Sequence, residues 1–283
     1  MEETKKYNAE KTREVLQMLQ DGVQSLFTSG RYEEYLKFLS RFHSYSAGNC
    51  LLIWMQHPEA SLVASFTDWK KQNRWVKKGE KAIRIIAPHT YTEKDKDGND
   101  VTRIGFHSAR CFDVSQTDTA TGKDIPDIAR IVDAPVVGFD NLTAVLTAIS
   151  PVPIEYGKTK GSANGYFSPS DCRIVIKSGL PEAQTIKTII HEIAHAWLHG
   201  KDGEAKDADR RTREVQAESI AYVVSSYLGI DTSDYSFGYV AGWSSDKKLP
   251  ELKASLELIR STADAMIVQL DNAITEAASN EPC

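Results

Sequence analysis

The sequence predicts an α+β fold in two domains, and three observations carry that reading. Apolar residues recur at helical spacing over several long stretches, β-branched runs sit between turn signals, and an unpatterned, turn-rich stretch separates two such mixtures. At 283 residues, 26% charged and 41% hydrophobic, the chain is long enough for two medium domains.

From Asn8 to about Phe27, Val15, Leu19, Val23 and Leu26 repeat once per helical turn, and Tyr35, Leu36, Leu39 and Phe42 resume the period after "TSGRY". "HSYSAGNCLLIWMQHP" interrupts it with small polar residues and continues as an apolar helix ending before Pro58. "KAIRIIAP" and "TRIGFHSARCFDVSQT" read as strands, with a turn expected at Asp97-Gly98. Amphipathic order is lost from about Thr117 to Asp140, which places a first domain at 1–125, a linker at 126–140 and a second domain at 141–283. In the second domain "NGYFSPSDCRIVIKS" reads as a hairpin with Pro169 in or beside its turn, followed by a long helix. After "GKDGEAKDADRRT" another helix is expected from near Arg213 to Gly229. Leu252, Leu256, Ile259, Ala263, Met266 and Leu270, spaced four and three apart in turn, mark a final packed helix.

Charge divides unevenly within the net −5. Residues 1–125 hold 19 Lys and Arg against 17 Asp and Glu, the remainder 15 against 22, which suggests different partners for the two halves. The opening "MEETKKYNAEKTREV" is charged throughout and no apolar run approaches a membrane span, so a cytoplasmic protein with no membrane partner is expected. Cys50, Cys111, Cys172 and Cys283 lie far apart with no Cys-x-x-Cys pair, which argues for reduced, mostly buried thiols.

The chemistry concentrates in "HEIAHAWLH", residues 191–199. On a helix, His191 and His195 lie one turn apart on one face, while Ile186, Ile190, Ile193 and Trp197 form a separate apolar stripe. Two converging imidazoles are half of a tetrahedral zinc site, and Glu192 stands where it can take a proton from a water whose pKa the metal lowers. A third ligand is needed, and "REVQAESIAYVV" offers Glu214 and Glu218, again one turn apart. This HExxH helix followed by an acidic helix is the gluzincin arrangement, with Glu214 as ligand and Glu218 as acceptor for an imidazole N–H, although the two roles are interchangeable on spacing alone. His199 is discounted as a ligand. Three side chains stacked on one straight helix would span roughly 12 Å, so His199 is expected as a loop contact or a helix-end cation. A solvated helix face that binds nothing would carry the same residues.

Two further segments invite function. "CRIVIKS", before the histidine helix, is placed where a sheet edge could pair with an extended substrate, or could simply contribute core. "WKKQNRWVKKGEKAIR", residues 69–84, sets Lys70, Lys71, Arg74, Lys77, Lys78, Lys81 and Arg84 against Glu80 alone, with Trp69 and Trp75 interleaved. Cations that track phosphates and indoles that stack on bases are what single-strand binders use, and a lysine-rich turn over two core tryptophans is the alternative.

The run from "FHSYSAGNCLLIWMQHPEASLVASFTDWKKQNRWVKKGEKAIRIIAP" to "CFDVSQT" resembles the N-terminal single-stranded-DNA-binding domain of ArdC-type antirestriction proteins, which are encoded on conjugative plasmids and related mobile elements. "GYFSPSDCRIVI", "HEIAHAWLH" and "EVQAESIAYVV" resemble the zincin-like metallopeptidase domain fused to it, itself similar to IrrE/ImmA-type peptidases. The resemblance implies single-stranded DNA as a partner of the first domain, protection of incoming DNA during transfer, and a peptide or protein substrate for the second. By position it implies strand contacts at Tyr45, Asn49, Lys77, Lys78 and Lys81. It also supports a centre of His191, Glu192, His195 and Glu214, holding Zn2+ or another divalent metal such as Mn2+. Tyr166 and Tyr239, in flanking segments, are candidates for stabilising an oxyanion. Glu218 stands where IrrE-type relatives tend to have Asn. Two competing functions stay open: a DNA-coating protein with a structural or inactive metal site, and a regulatory protease that cleaves a repressor.

Overall fold

Val15, Val23 and Leu26 are buried on one stripe of α1 (Glu2–Thr28), the first element of a computed structural model that describes residues 2–96, 99–119, 138–159, 161–233, 235 and 237–279. In chain order there follow α2 (Tyr32–Phe42), α3 (Ala47–Gln56), β1 (Val63–Ser65), α4 (Phe66–Lys71), β2 (Arg74–Val76), β3 (Ile83–Lys94), β4 (Asp100–Asp113) and β5 (Thr117–Thr119). The second half contains α5 (Phe139–Ile149), β6 (Ile154–Gly157), β7 (Gly165–Ser168), β8 (Arg173–Lys177), α6 (Glu182–His199), α7 (Arg210–Tyr227), α8 (Val240–Ser244) and α9 (Leu249–Ser279). The mixture of helix and strand is the predicted α+β class. Among the described residues no helix is long and apolar enough to cross a membrane.

The chain forms two compact units, Met1–Leu26 with Gly48–Ile128 and Phe27–Ala47 with Ala129–Cys283. The expected first domain, 1–125, therefore does not coincide with one unit. Residues 27–47 leave it because α2 packs on the second unit. The Tyr32 hydroxyl lies 2.9 Å from that of Ser219, Tyr222 donates to Glu33, and the ring of His43 lies 2.7 Å from Asp264. Of the expected 126–140 linker, 126–137 lie outside the described residues, and Phe139 already opens α5.

In the first unit β1, β4 and β3 form an antiparallel sheet in that order, and β2 pairs with β5. The β3–β4 register runs from Ile83↔Cys111 to Lys94↔Asp100. The expected Asp97-Gly98 turn lies outside the described residues. Among the described residues β3 is an edge, and α3 covers part of it with side chains. Asn49 accepts from the Ile86 amide and donates to its carbonyl, while Gln56, two helical turns on, does the same for Arg84. Backbone groups that would otherwise recruit another strand are thereby satisfied. Short elements absent from the sequence reading include β1, β2 and β5, and Asp113, the last residue of β4, ties the chain before β1 to the turn before β5. Its carboxylate accepts from the amides of Ser61, Leu62 and Ser115, and Gln116 accepts from the Asp113 amide. Burial pushes that carboxyl upward, but the hydrogen bonds prevail and hold it below its ordinary range.

In the second unit β8 lies between β6, parallel to it, and β7, antiparallel to it. "CRIVIKS" is thus the centre of the sheet and not the substrate-facing edge suggested for it, since Ile174, Val175 and Ile176 are core. The edge beside α6 is β7. Gly165 lets it approach, because a Cβ there would come within 2.7 Å of the Thr188 side chain on α6. Asp209 caps α7 by accepting from the Thr212 amide, so the helix starts three residues before the expected Arg213. Its end is as expected: Gly229 takes φ +69°, with amides of Gly229 and Ile230 bonded to the carbonyls of Ser226 and Ser225. The predicted stripe on α9, Leu252 to Leu270, is buried throughout. Cys50 and Cys111 are buried as expected. Cys172 departs from expectation, being exposed at φ +50°, and Cys283 lies outside the described residues.

Replacing Asp113 by Ala leaves three part-buried amides without this acceptor. The variant is expected to unfold at least about 2 kcal/mol more easily in a urea titration followed by tryptophan fluorescence, and wild-type stability would show that these amides are satisfied otherwise.

Candidate metal centre

The site forms where β7 and α7 flank the middle of α6. Ile186, Ile189, Ile190 and Ile193 bury one side of α6, which turns His191, Glu192 and His195 toward a cleft of about 750 Å3. Tyr166, Phe167, Arg210, Arg213 and Glu214 line the rest of it. Arg213 donates to the carbonyls of Ala208 and Lys206, fastening the connecting loop one residue before Glu214.

The Nε2 atoms of His191 and His195 are 3.0 Å apart, and Oε2 of Glu214 lies 3.7 Å from each. Among the described residues these three form the cluster able to offer one ligand atom apiece to a common ion. Four ligands at zinc-like bond lengths stand about 3.4 Å from one another, so the observed separations bracket what a tetrahedral ion requires. The donor set of two imidazoles and one carboxylate fits a divalent metal.

The surrounding groups differ in kind. Glu218 Oε2 lies 3.1 Å from Nδ1 of His191, on the far side of the ring from Glu214. Burial would lower the pKa of His191, but the hydrogen bonds of Glu214 and Glu218 outweigh it and carry the imidazole up to about 10. The same contacts, those of His191 and His195, hold Glu214 well below the usual carboxylate range. Glu192 moves the other way. Its burial raises the carboxyl, against the nearby His191 and His195 and the Phe167 amide that donates to it.

His199 is neither a loop contact nor a cation. It is buried, with Nδ1 2.9 Å from Nδ1 of His195 and Nε2 3.0 Å from Oε1 of Gln216, and burial pushes it down to about 4. Gln216 and Ser255, 3.2 Å apart, continue the chain. The sequence reading missed both. The available signal was a polar residue between Glu214 and Glu218 on a helix otherwise packed with Val, Ala and Ile. Of the two tyrosines, Tyr166 lines the cleft. Tyr239 is raised by burial and by the charges of Glu218 and Glu214.

The expected DNA contacts separate. Trp69 is fully buried and donates to the Phe112 carbonyl, with the Arg74 guanidinium 5.8 Å over its ring. Arg74 is itself buried and donates to Thr117. Both are structural, because a buried ring has no free face for a base, and Asn49 is spent on the β3 edge. Lys70, Lys71, Trp75, Lys77, Lys78 and Lys81 are exposed, although Lys71 pairs with Asp68 and Lys77 donates to Ser115. Tyr45 is half-buried beside Phe42, in the second unit. The β3–β4 hairpin adds rings that the sequence reading did not single out: His89, Tyr91 and His107 share one face, and the absence of a side chain at Gly105 leaves space for His89.

Residues 5–126 match the family model "N-terminal domain of anti-restriction factor ArdC", and residues 102–222 match the "Putative metallopeptidase family (DUF6782)". Two crystal structures of the antirestriction protein ArdC from the R388 plasmid share the fold. The metal-free one is 21% identical, with a TM-score of 0.53 over 84% of this chain and 87% of that one. The Mn(II)-bound one is 18% identical, with a TM-score of 0.56 over 91% and 97%. The chain is an ArdC-like protein. An uncharacterized protein of Bacillus anthracis is 25% identical to the ArdC-like chain over 316 residues, covering 96% of it, and the chain spans about half the length of that curated relative, 53%. Against the solved structures the likeness is one of fold.

A metal accepts only neutral imidazole, so an ion entering this centre must displace the proton that the two glutamates keep on His191. Calorimetric titration with Zn(II) or Mn(II) near pH 7, in buffers of differing ionisation enthalpy, is expected to count about one proton released per ion. Affinity should rise with pH by up to about tenfold per unit. Binding without proton release would contradict the geometry described.

Proposed function

We propose that this chain is an antirestriction protein whose second unit is a zinc-dependent metallopeptidase and whose first unit binds single-stranded DNA. The observation that carries the peptidase reading is the convergence of His191, His195 and Glu214 beside the buried carboxyl of Glu192. In this reading His191, His195 and Glu214 hold the ion and Glu218 fixes His191. The Mn(II) bound by the R388 protein supports a divalent metal, and the nitrogen-rich donor set favours zinc.

A divalent ion supplies a Lewis acid for the scissile carbonyl and an acidified water at neutral pH. The chain supplies the rest. Glu192, whose carboxyl burial raises, takes a proton from the attacking water and returns it to the leaving amine. The Phe167 amide keeps that carboxyl in place. Tyr166, on the cleft wall, donates to a developing oxyanion in this reading, and Tyr239, within reach of the charges of Glu218 and Glu214, is the alternative. β7 has no strand partner on its outer side among the described residues, so a substrate backbone in extended form can add there.

For the first unit, the exposed Lys70, Lys77, Lys78 and Lys81 supply charge for phosphates, and Trp75 with the hairpin rings of His89 and Tyr91 supplies stacking surface. Single-stranded DNA suits this set better than duplex, whose bases offer no open faces.

Glu192→Gln is expected to bind metal as the wild type does while cleaving a peptide library about 10²–10⁴-fold more slowly; full cleavage would reject the assignment. Trp75→Ala is expected to cost about 1–3 kcal/mol in single-strand affinity. In a salt series, Lys78→Ala with Lys81→Ala should lower the slope of log affinity against log salt by about 0.7 per lost contact. Unaltered binding by both variants would place the DNA site elsewhere.

A further inference from the structure

His195 must present Nε2 to the ion, yet a neutral imidazole carries its proton on either nitrogen, and in the ligand triangle Glu214 faces Nε2 and favours the wrong one, so Nδ1 needs a partner of its own. For His191 the decision is made by Glu218, because a carboxylate only accepts and so draws the proton to Nδ1. Among the described residues no carboxylate stands behind His195. Its Nδ1 meets Nδ1 of His199, another ring with the same ambiguity.

We infer that Gln216 settles the matter, acting through His199 as a positioning residue that fixes which nitrogen of His195 is free to bind metal. The inference rests on the metal-centre reading above. His199, Gln216 and Ser255 are 5%, 2% and 4% exposed, so each polar atom must be satisfied within the chain. With Oε1 of Gln216 toward His199, Nε2 of His199 carries the proton and donates. Nδ1 of His199 is then left with a lone pair and accepts from Nδ1–H of His195. Nε2 of His195 keeps its lone pair and faces His191 and Glu214.

Turning the Gln216 amide over reverses every link. His199 would accept at Nε2 and donate from Nδ1, and His195 would carry its proton on the nitrogen that must ligate. In the observed orientation the amide nitrogen of Gln216 donates to the Ser255 hydroxyl 3.2 Å away, which completes the chain. The two ligands are therefore set by different means: His191 by a charge, His195 by a neutral chain of three side chains ending on α9. Glu214, Gln216 and Glu218, at alternate positions of α7, divide the work into ligand, indirect lock and direct lock.

The test combines long-range 1H–15N spectra of the histidine rings with chelator-competition affinities for Zn(II). In the metal-free wild type, His195 is expected as the Nδ1–H form and His199 as the Nε2–H form. Gln216→Leu is expected to mix the two forms and weaken Zn(II) by about 10–100-fold. Gln216→Glu, which keeps an acceptor toward His199, should stay within about threefold of wild type. A proton on Nε2 of His195 in the wild type, or unchanged spectra and affinity in Gln216→Leu, would overturn the inference. Should Gln216→Leu fail to fold, the wild-type spectra and Gln216→Glu still decide. Correct ring forms in a protein that binds no metal would sink the metal reading and leave this lock standing.

Discussion

The second unit depends on one approach, that of α7 to the cleft side of α6, which brings Glu214 to within 3.7 Å of two imidazole nitrogens that α6 has already set 3.0 Å apart. A single helix can align two ligands one turn apart but cannot close a three-ligand site, because its rise carries the next side chain away. Closure requires a second element fixed to within a few tenths of an ångström. The capping of α7 by Asp209, the Arg213 contacts to the preceding loop and the buried face of Val215, Ile220 and Val224 all serve that requirement.

Around this triangle, two glutamates respond oppositely to their surroundings. Glu192 is desolvated and its carboxyl is raised, whereas Glu214, half open to solvent and touching both imidazoles, is held as a carboxylate. Environments of this kind let one cleft hold two carboxyl groups with opposite proton affinities at the same pH.

The long elements were legible because periodicity accumulates over many residues: the α9 stripe is buried throughout, and Ile186, Ile190 and Ile193 of the expected α6 stripe are core, whereas Trp197 is only half-buried and β3 runs on to Lys94, past the apolar run that marked it. The site was legible as far as side chains on one helix could be counted. What lay beyond was decided by tertiary context. β1, β2, β5 and β6 span three or four residues each, too few for a period to emerge. "CRIVIKS" is central because β6 returns to pair with it from a distant stretch, and Trp69 is core because Phe112, 43 residues on, takes its N–H. His199 looked like a helix-end cation because its partner, Gln216, lies 17 positions away. In each case the deciding neighbour is remote in sequence.

The cover that α3 lends to β3 has a consequence for pairing errors. Asn49 and Gln56 address alternate residues, so between them they sense only the parity of the strand, and a shift of β3 by two positions would offer them outwardly equivalent neighbours. In one direction that slip would set Asn49 opposite Pro88, which has no amide hydrogen to give. An imino acid two residues past the clamp thus serves as a ratchet stop, and errors of threading are left only the opposite way to go.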